Sequence, residues 1–193
     1  MAKTKISGPA LFMYCVIGIC VAISTICFTL YYKNICTGYL VLLTGIITFT
    51  IMYHFWVRII MGNVSKLFKK HINYKQAFFK EKSFEKGLYK FLRVKDWKGK
   101  ALTYNPESFS LKEHHLEEIA NTMTKSEVDH WINEIISLLS ILFSIVWGQL
   151  WIFLITAIVA MIFDSQFIII QRYNRPRVMK ILEKENKKIE ATV

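Results

Sequence analysis

Three short stretches hold ionisable groups where hydrocarbon tolerates them least. In "HFWVR", His54 and Arg58 stand at i and i+4, on one helix face near the end of an apolar run. In "SEVDHWINE", Glu127, His130 and Glu134 recur at i, i+3 and i+7, again one face. In the third, Asp164 and Gln171 lie seven apart, and Arg172 and Arg175 continue the stripe. The Glu127–His130 spacing suits general-base chemistry, because a carboxylate one turn away can orient an imidazole towards a proton it removes. Asp164 lies about 10 Å inside its apolar stretch by helix rise. A charge at that depth needs a partner, and His54 or Arg58 are natural candidates.

Other readings compete. Arg58, Arg172 and Arg177 at helix ends also suit anchors that reach for the membrane surface, and Trp56, Trp131 and Tyr173 suit an interfacial belt. His114 and His115 read as solvated. Glu127-x-x-His130 is half of a carboxylate-bridged di-iron set, but five histidines are too few for a histidine-rich membrane oxygenase, so no metal is expected. Cys15, Cys20, Cys27 and Cys36 form no Cys-x-x-Cys pair, and three of them lie in an apolar run, where a thiol stays protonated and inert. The His-x-x-x-x-Asp box of common glycerolipid acyltransferases is absent: five residues after the histidines stand Ile59, Gln76, Ile119, Ala120 and Ile135. Gly-x-Ser-x-Gly, P-loop and Gly-x-Gly-x-x-Gly patterns are absent too.

The elements that must position these groups are membrane helices. The 193 residues are 53% hydrophobic and 15% aromatic, with the apolar residues gathered in long blocks. Spans are expected at about 10–32, 38–60, 130–146 and 150–171, with a turn at Trp147-Gly148-Gln149. The first is too long for a signal-peptide core and shows no clear cleavage site at its end. One tilted helix across the last two would measure about 60 Å, twice a hydrocarbon core. Of 25 basic residues, 23 fall in the N-terminal tail (Lys3, Lys5), the loop 63–125 and the tail from Arg172. Four spans with both termini in the cytoplasm put them all on one side, and a three-span arrangement would not. The net charge of +11 is then positive-inside charge, and no nucleic-acid-binding motif accompanies it. All three polar stripes end at the cytoplasmic membrane level.

The fold class expected is therefore all-α, a single polytopic bundle of four transmembrane helices with a cytoplasmic amphipathic and helical loop between spans two and three. Within that loop Phe84, Leu88 and Phe91 recur at i, i+4 and i+7, with Lys82, Lys86, Lys90 and Arg93 between them. Such a stretch suits the inner membrane face and anionic lipid. Tyr104–Ser108 reads as a turn, followed by a helix capped by Ser110 with Glu113 three residues on.

Three segments, "VKDWKGK" (94–100), "KSEVDHWI" (125–132) and "IIIQRYNRPR" (168–177), stand in an order that resembles the glycosyl-4,4′-diaponeurosporenoate acyltransferase family of bacteria. The resemblance covers about 55–182. The matching positions are Trp97, Lys98, Glu127, His130, Trp131 and Gln171 through Arg177; Asp164 stands where the family pattern leads one to expect Asn. The resemblance implies acyl transfer to a sugar hydroxyl of a membrane glycolipid in the bacterial cell membrane, with a glycosylated carotenoid as the type acceptor. On that reading His130, oriented by Glu127, is the base. Arg172, Arg175 and Lys98 hold an anionic part of the donor, such as acyl-CoA phosphates, with Trp97 beside them. Gln171 or Asn174 binds the reacting carbonyl, and His54 and Arg58 complete the site or brace Asp164. No bound cofactor is implied; an acyl donor is the co-substrate. A non-catalytic lipid-binding or assembly factor, and a methyltransferase with a nucleotide-like donor, are the alternatives.

Overall fold

The computed structural model describes residues 8–101 and 106–191. Among these residues the chain is helical and contains no strand. Helix α1 spans Gly8–Tyr32 and α2 Tyr39–Phe68; the short α3 (Glu85–Phe91) and α4 (Val94–Trp97) follow; then come α5 (Leu116–Leu139), the single turn α6 (Ser144–Trp147) and the long α7 (Leu150–Glu190). Four helical stretches are long and apolar enough to cross a membrane: Ala10–Tyr32, Tyr39–Val64, Leu116–Trp147 and Leu150–Lys188. The last two extend well past the apolar runs expected to span, because α5 begins and α7 ends in polar sequence that stays helical. Large side chains such as Phe12, Ile19, Ile26, Val159 and Ile162 point outwards from them, 58–61% exposed. A soluble chain does not leave so much apolar surface uncovered.

The chain divides into two compact units. The first comprises residues up to Asn63 together with Asn133–Ile162. Its core is Ile46, Ile152 and Phe153, with Phe28, Leu42, Phe143 and Trp147 packed on them. Trp147 stacks on Phe28 (5.3 Å between centroids, 7° between planes) and donates its indole N–H to the Tyr32 hydroxyl at 3.0 Å. Gly45 lets α1 approach α2: a Cβ there would lie 3.1 Å from the Phe28 ring and 3.2 Å from Cys27 Cβ. The turn between α6 and α7 is made by Gly148 (φ 67°) and Gln149 (φ 48°). Gln149 Oε1 there accepts from the Tyr39 hydroxyl and the Trp151 indole.

The second unit comprises Val64–Ile132 and Phe163 onwards. Tyr89, Val94 and Tyr173 form its core, flanked by Leu92, Trp97 and Ile169. Helix α3 turns Glu85 and Tyr89 inwards, while Phe84, Leu88 and Phe91 are 66%, 39% and 84% exposed. Helix α5 begins later than Ser110 because Glu118, not Glu113, closes its first turn: Glu118 Oε2 accepts from the His115 backbone N–H at 3.3 Å, the reach-back half of a capping box. Ser110 instead starts a turn, its carbonyl accepting from the backbone N–H groups of Glu113 and His114. The expected turn at Tyr104–Ser108 lies partly outside the described residues, as do Lys3 and Lys5; from Pro106 to Phe109 the chain makes a 3-10 turn.

Candidate functional site

Two helices of the second unit carry most of the polar groups. Helix α5 supplies Ser126, Glu127, His130 and Trp131; α7 supplies Asp164, Phe167 and the run Gln171–Arg177. Their contacts sort these groups into two sets with different chemistry.

The first set is His130, Asp164 and Phe167. His130 Nδ1 lies 2.8 Å from Asp164 Oδ1. The carboxylate is wholly buried, whereas the imidazole is 20% exposed. Asp164 and Phe167 share a face of α7 at i, i+3, and the Phe167 ring stacks on the imidazole at 4.6 Å and 9°. A proton on Nδ1 would be donated to that carboxylate and would leave Nε2 its lone pair, and the bond and the stack together hold the ring plane, as a carboxylate does for an imidazole base.

The second set centres on Glu127, and here the structure corrects the pairing expected from spacing. Glu127 does not orient His130. Its oxygens accept from Arg172 Nε and Arg175 Nη1, each at 2.6 Å, and from the Trp131 indole at 3.3 Å. Two guanidinium groups outcompete a neighbouring imidazole for one buried carboxylate, because each charge-assisted bond relieves part of the cost of burying it. Arg172 also pairs with Glu85 and donates to the Phe78 carbonyl at 2.9 Å. Arg175 forks onto the Phe79 carbonyl at 2.8 and 3.2 Å and is 2% exposed. The two guanidinium groups expected at a donor thus close on the chain's own carboxylates and carbonyls. They tie the turn at Ala77–Phe79 and helix α3 to α5 and α7.

The remaining expected residues are placed as follows. Lys98 Nζ donates to Asn174 Oδ1 at 2.8 Å and sits 4.8 Å above the Tyr173 ring, whose other close cation is Arg177, 3.6 Å from the centroid. Burial first, and then repulsion from Arg177, hold the Lys98 ammonium below the usual lysine range. Gln171 Nε2 reaches Ser126 Oγ at 3.5 Å. Trp97 donates to the Leu92 carbonyl at 2.9 Å, a packing role within α3 and α4. His54 and Arg58 belong to the first unit, where Arg58 donates to the His54 carbonyl at 2.6 Å and the Ala160 carbonyl at 3.2 Å. Asp164 belongs to the second unit, where it is bonded to His130. Sequence reading missed Phe167 and Glu85. The i, i+3 relation of Phe167 to Asp164 is a usable signal for the first; a lone acid on the inner face of a basic helix is one for the second.

The family model described as glycosyl-4,4′-diaponeurosporenoate acyltransferase matches residues 75–184. The match begins later than the expected start near residue 55, leaving Arg58 outside along with His54, and holds both polar sets within. No curated protein and no solved structure matches the chain.

Proposed function

The chain belongs to the glycosyl-4,4′-diaponeurosporenoate acyltransferase family, and from that premise we propose that it is a membrane-embedded O-acyltransferase in which His130 is the general base. It esterifies a hydroxyl of a membrane glycolipid, a glycosylated carotenoid in the case the family description names, with a fatty acyl group carried as a thioester. The bundle crosses the bacterial cytoplasmic membrane with both termini in the cytoplasm, as the one-sided distribution of lysine and arginine favours.

The observation that carries the reading is the His130–Asp164 bond, buried on the carboxylate side and open on the imidazole side. Nε2 takes the proton of the acceptor hydroxyl as its oxygen attacks the acyl carbonyl carbon. The tetrahedral intermediate collapses with loss of the C–S bond, and the imidazolium returns the proton to the departing thiolate. Asp164 stabilises the imidazolium in between. Gln171, about 10 Å further along α7 than Asp164 and beside Ser126 on α5, is the nearer candidate to donate to the oxyanion. The acyl chain lies against the apolar helix surfaces. Arg172 and Arg175 have a supporting role, holding the frame in which α5 and α7 present the dyad.

The test uses the purified full chain, a labelled acyl-CoA and a glycosylated lipid acceptor. His130→Ala abolishes ester formation and Asp164→Ala lowers kcat by about 10²–10⁴-fold, since nothing then holds the imidazole in the productive tautomer; both variants are assayed well below their melting points, because His130→Ala takes a partner from a buried carboxylate. Undiminished ester formation by His130→Ala overturns the assignment. A wild-type chain that holds lipid tightly and never turns over points to the static lipid-binding role instead.

A further inference from the structure

Helices α3 and α4 and the polar half of α7 enclose an open groove of about 490 Å³ within the second unit. Lys86, Lys90, Arg93, Lys95, Arg177 and Lys180 line it, against two carboxylates, Glu81 and Asp96. The formal excess is four positive charges. Among the described residues, Lys86 is the one of these cations with a carboxylate partner, Glu81 at 3.8 Å. Tyr173 forms part of the wall, and the Arg177 guanidinium lies 3.6 Å from its ring centroid. Positive-inside charge accounts for lysines on this side of the membrane, but not for their collection around one concavity.

A second observation marks the same place. Arg93 adopts φ 49°, ψ 42°, the left-handed region that a side chain disfavours and glycine accepts freely. Its backbone turns α3 into α4, and its exposed side chain lies on the groove. Glycine at 93 would keep the turn and relieve the backbone, so the side chain is the part of Arg93 on which a role in the groove rests.

We propose that this groove binds the phosphate-rich end of the acyl donor, a nucleotide-carried thioester. The inference rests on the proposed acyl transfer and takes the phosphate-binding role from Arg172 and Arg175, whose forks are engaged internally. A groove of this volume falls within the range of small-ligand sites, larger than one phosphate needs, and its charge excess suits several. Arg177 lies thirteen residues beyond Asp164 on α7, about 20 Å along the helix. A donor anchored at the groove therefore needs a long flexible arm between its phosphates and its thioester, which a coenzyme A thioester has. A lipid headgroup has the same phosphate chemistry without the arm, so the experiment separates the two.

Binding of free coenzyme A is measured by titration calorimetry on the full chain in phosphatidylcholine nanodiscs, at low and at moderate salt. The comparison is with a triple variant, Lys90→Ala, Arg93→Gly, Lys180→Ala, which alters exposed side chains and relieves the backbone at 93. Binding weakens about tenfold or more in the triple variant, as three exposed ion pairs would give, and salt weakens the wild type more than the variant. His130→Ala binds as the wild type does. In the acylation assay the triple variant raises KM and leaves kcat alone. Equal coenzyme A affinity in wild type and triple variant overturns the proposal. So does displacement of coenzyme A when the nanodiscs contain phosphatidylglycerol, which would assign the groove to a lipid headgroup. Ester formation with an unchanged KM in the triple variant sinks the groove and leaves His130 chemistry standing; groove-dependent coenzyme A binding without ester formation does the reverse.

Discussion

Replacing Glu127 by Gln separates two roles for one carboxylate, orienting a base or holding a frame. The carboxylate is fully buried and takes a 2.6 Å bond from each of two arginines. Gln keeps one acceptor oxygen and turns an amide NH₂ towards the other guanidinium. One charge-assisted bond is lost, about 1.5–3 kcal/mol. Arg175, 2% exposed, is left with the neutral acceptors Phe79 O and Thr124 Oγ1. Arg172 is less affected, because Glu85 still pairs with it. Stranding a buried charge brings the total to about 3–5 kcal/mol, which lowers the melting temperature of a chain this long by roughly 10 °C. The assay is tryptophan-fluorescence melting of the detergent-solubilised chain, alongside acyl transfer measured well below the melting point. Arg175→Met alone should destabilise too, and the double variant should recover most of the loss, since removing both charges of a buried pair costs little. If Glu127→Gln melts at the wild-type temperature yet loses ester formation, the carboxylate acts in the chemistry and the frame argument fails.

Two further outcomes test the packing. Gly45→Ala forces a Cβ against Phe28 and Cys27 of α1 and should cost about 1–3 kcal/mol, whereas Gly18→Ala, with nothing within 4 Å of the added carbon, should be neutral or slightly stabilising in the same melting assay. Burial first, and then its hydrogen bond to Glu85 at 2.8 Å, push the Tyr89 phenol well above the usual tyrosine range. A folded-state value above the unfolded one means the contribution is complete below about pH 10 and is lost as pH rises further. The melting temperature of the wild type should therefore fall more steeply above that pH than that of Tyr89→Phe.

The helices were legible because membrane helices carry their whole requirement locally: twenty or so apolar residues, backbone bonds satisfied within the segment, and a break such as Gly148-Gln149 where the chain must turn. Partner choice among the polar groups was not. Glu127 and His130 share a face of α5, and helical spacing shows that much. Which group each one bonds depends on what α7 brings opposite, and Asp164, Arg172 and Arg175 lie 34, 45 and 48 residues away from their partners. Spacing alone pairs Glu127 with His130, because it ranks neighbours by distance along one helix and not by charge. The carbonyls of Phe78 and Phe79, which hold the arginine forks, were out of reach of any reading by residue type, since every residue has one. The start of α5 was misplaced for a related reason: Ser110 and Glu113 have the right spacing for a capping box, but Glu118 has the geometry.

The order of the chain gives the Glu127 clamp a meaning for biogenesis. Glu85, Glu127 and His130 are synthesised before any of their partners on α7. A nascent chain that ends with α5 holds Glu127 without its two arginines and His130 without its carboxylate. The polar end of α5 reaches its final contacts only when α7 has been made, so a chain truncated before Arg172 lacks both guanidinium groups that hold the buried Glu127 carboxylate.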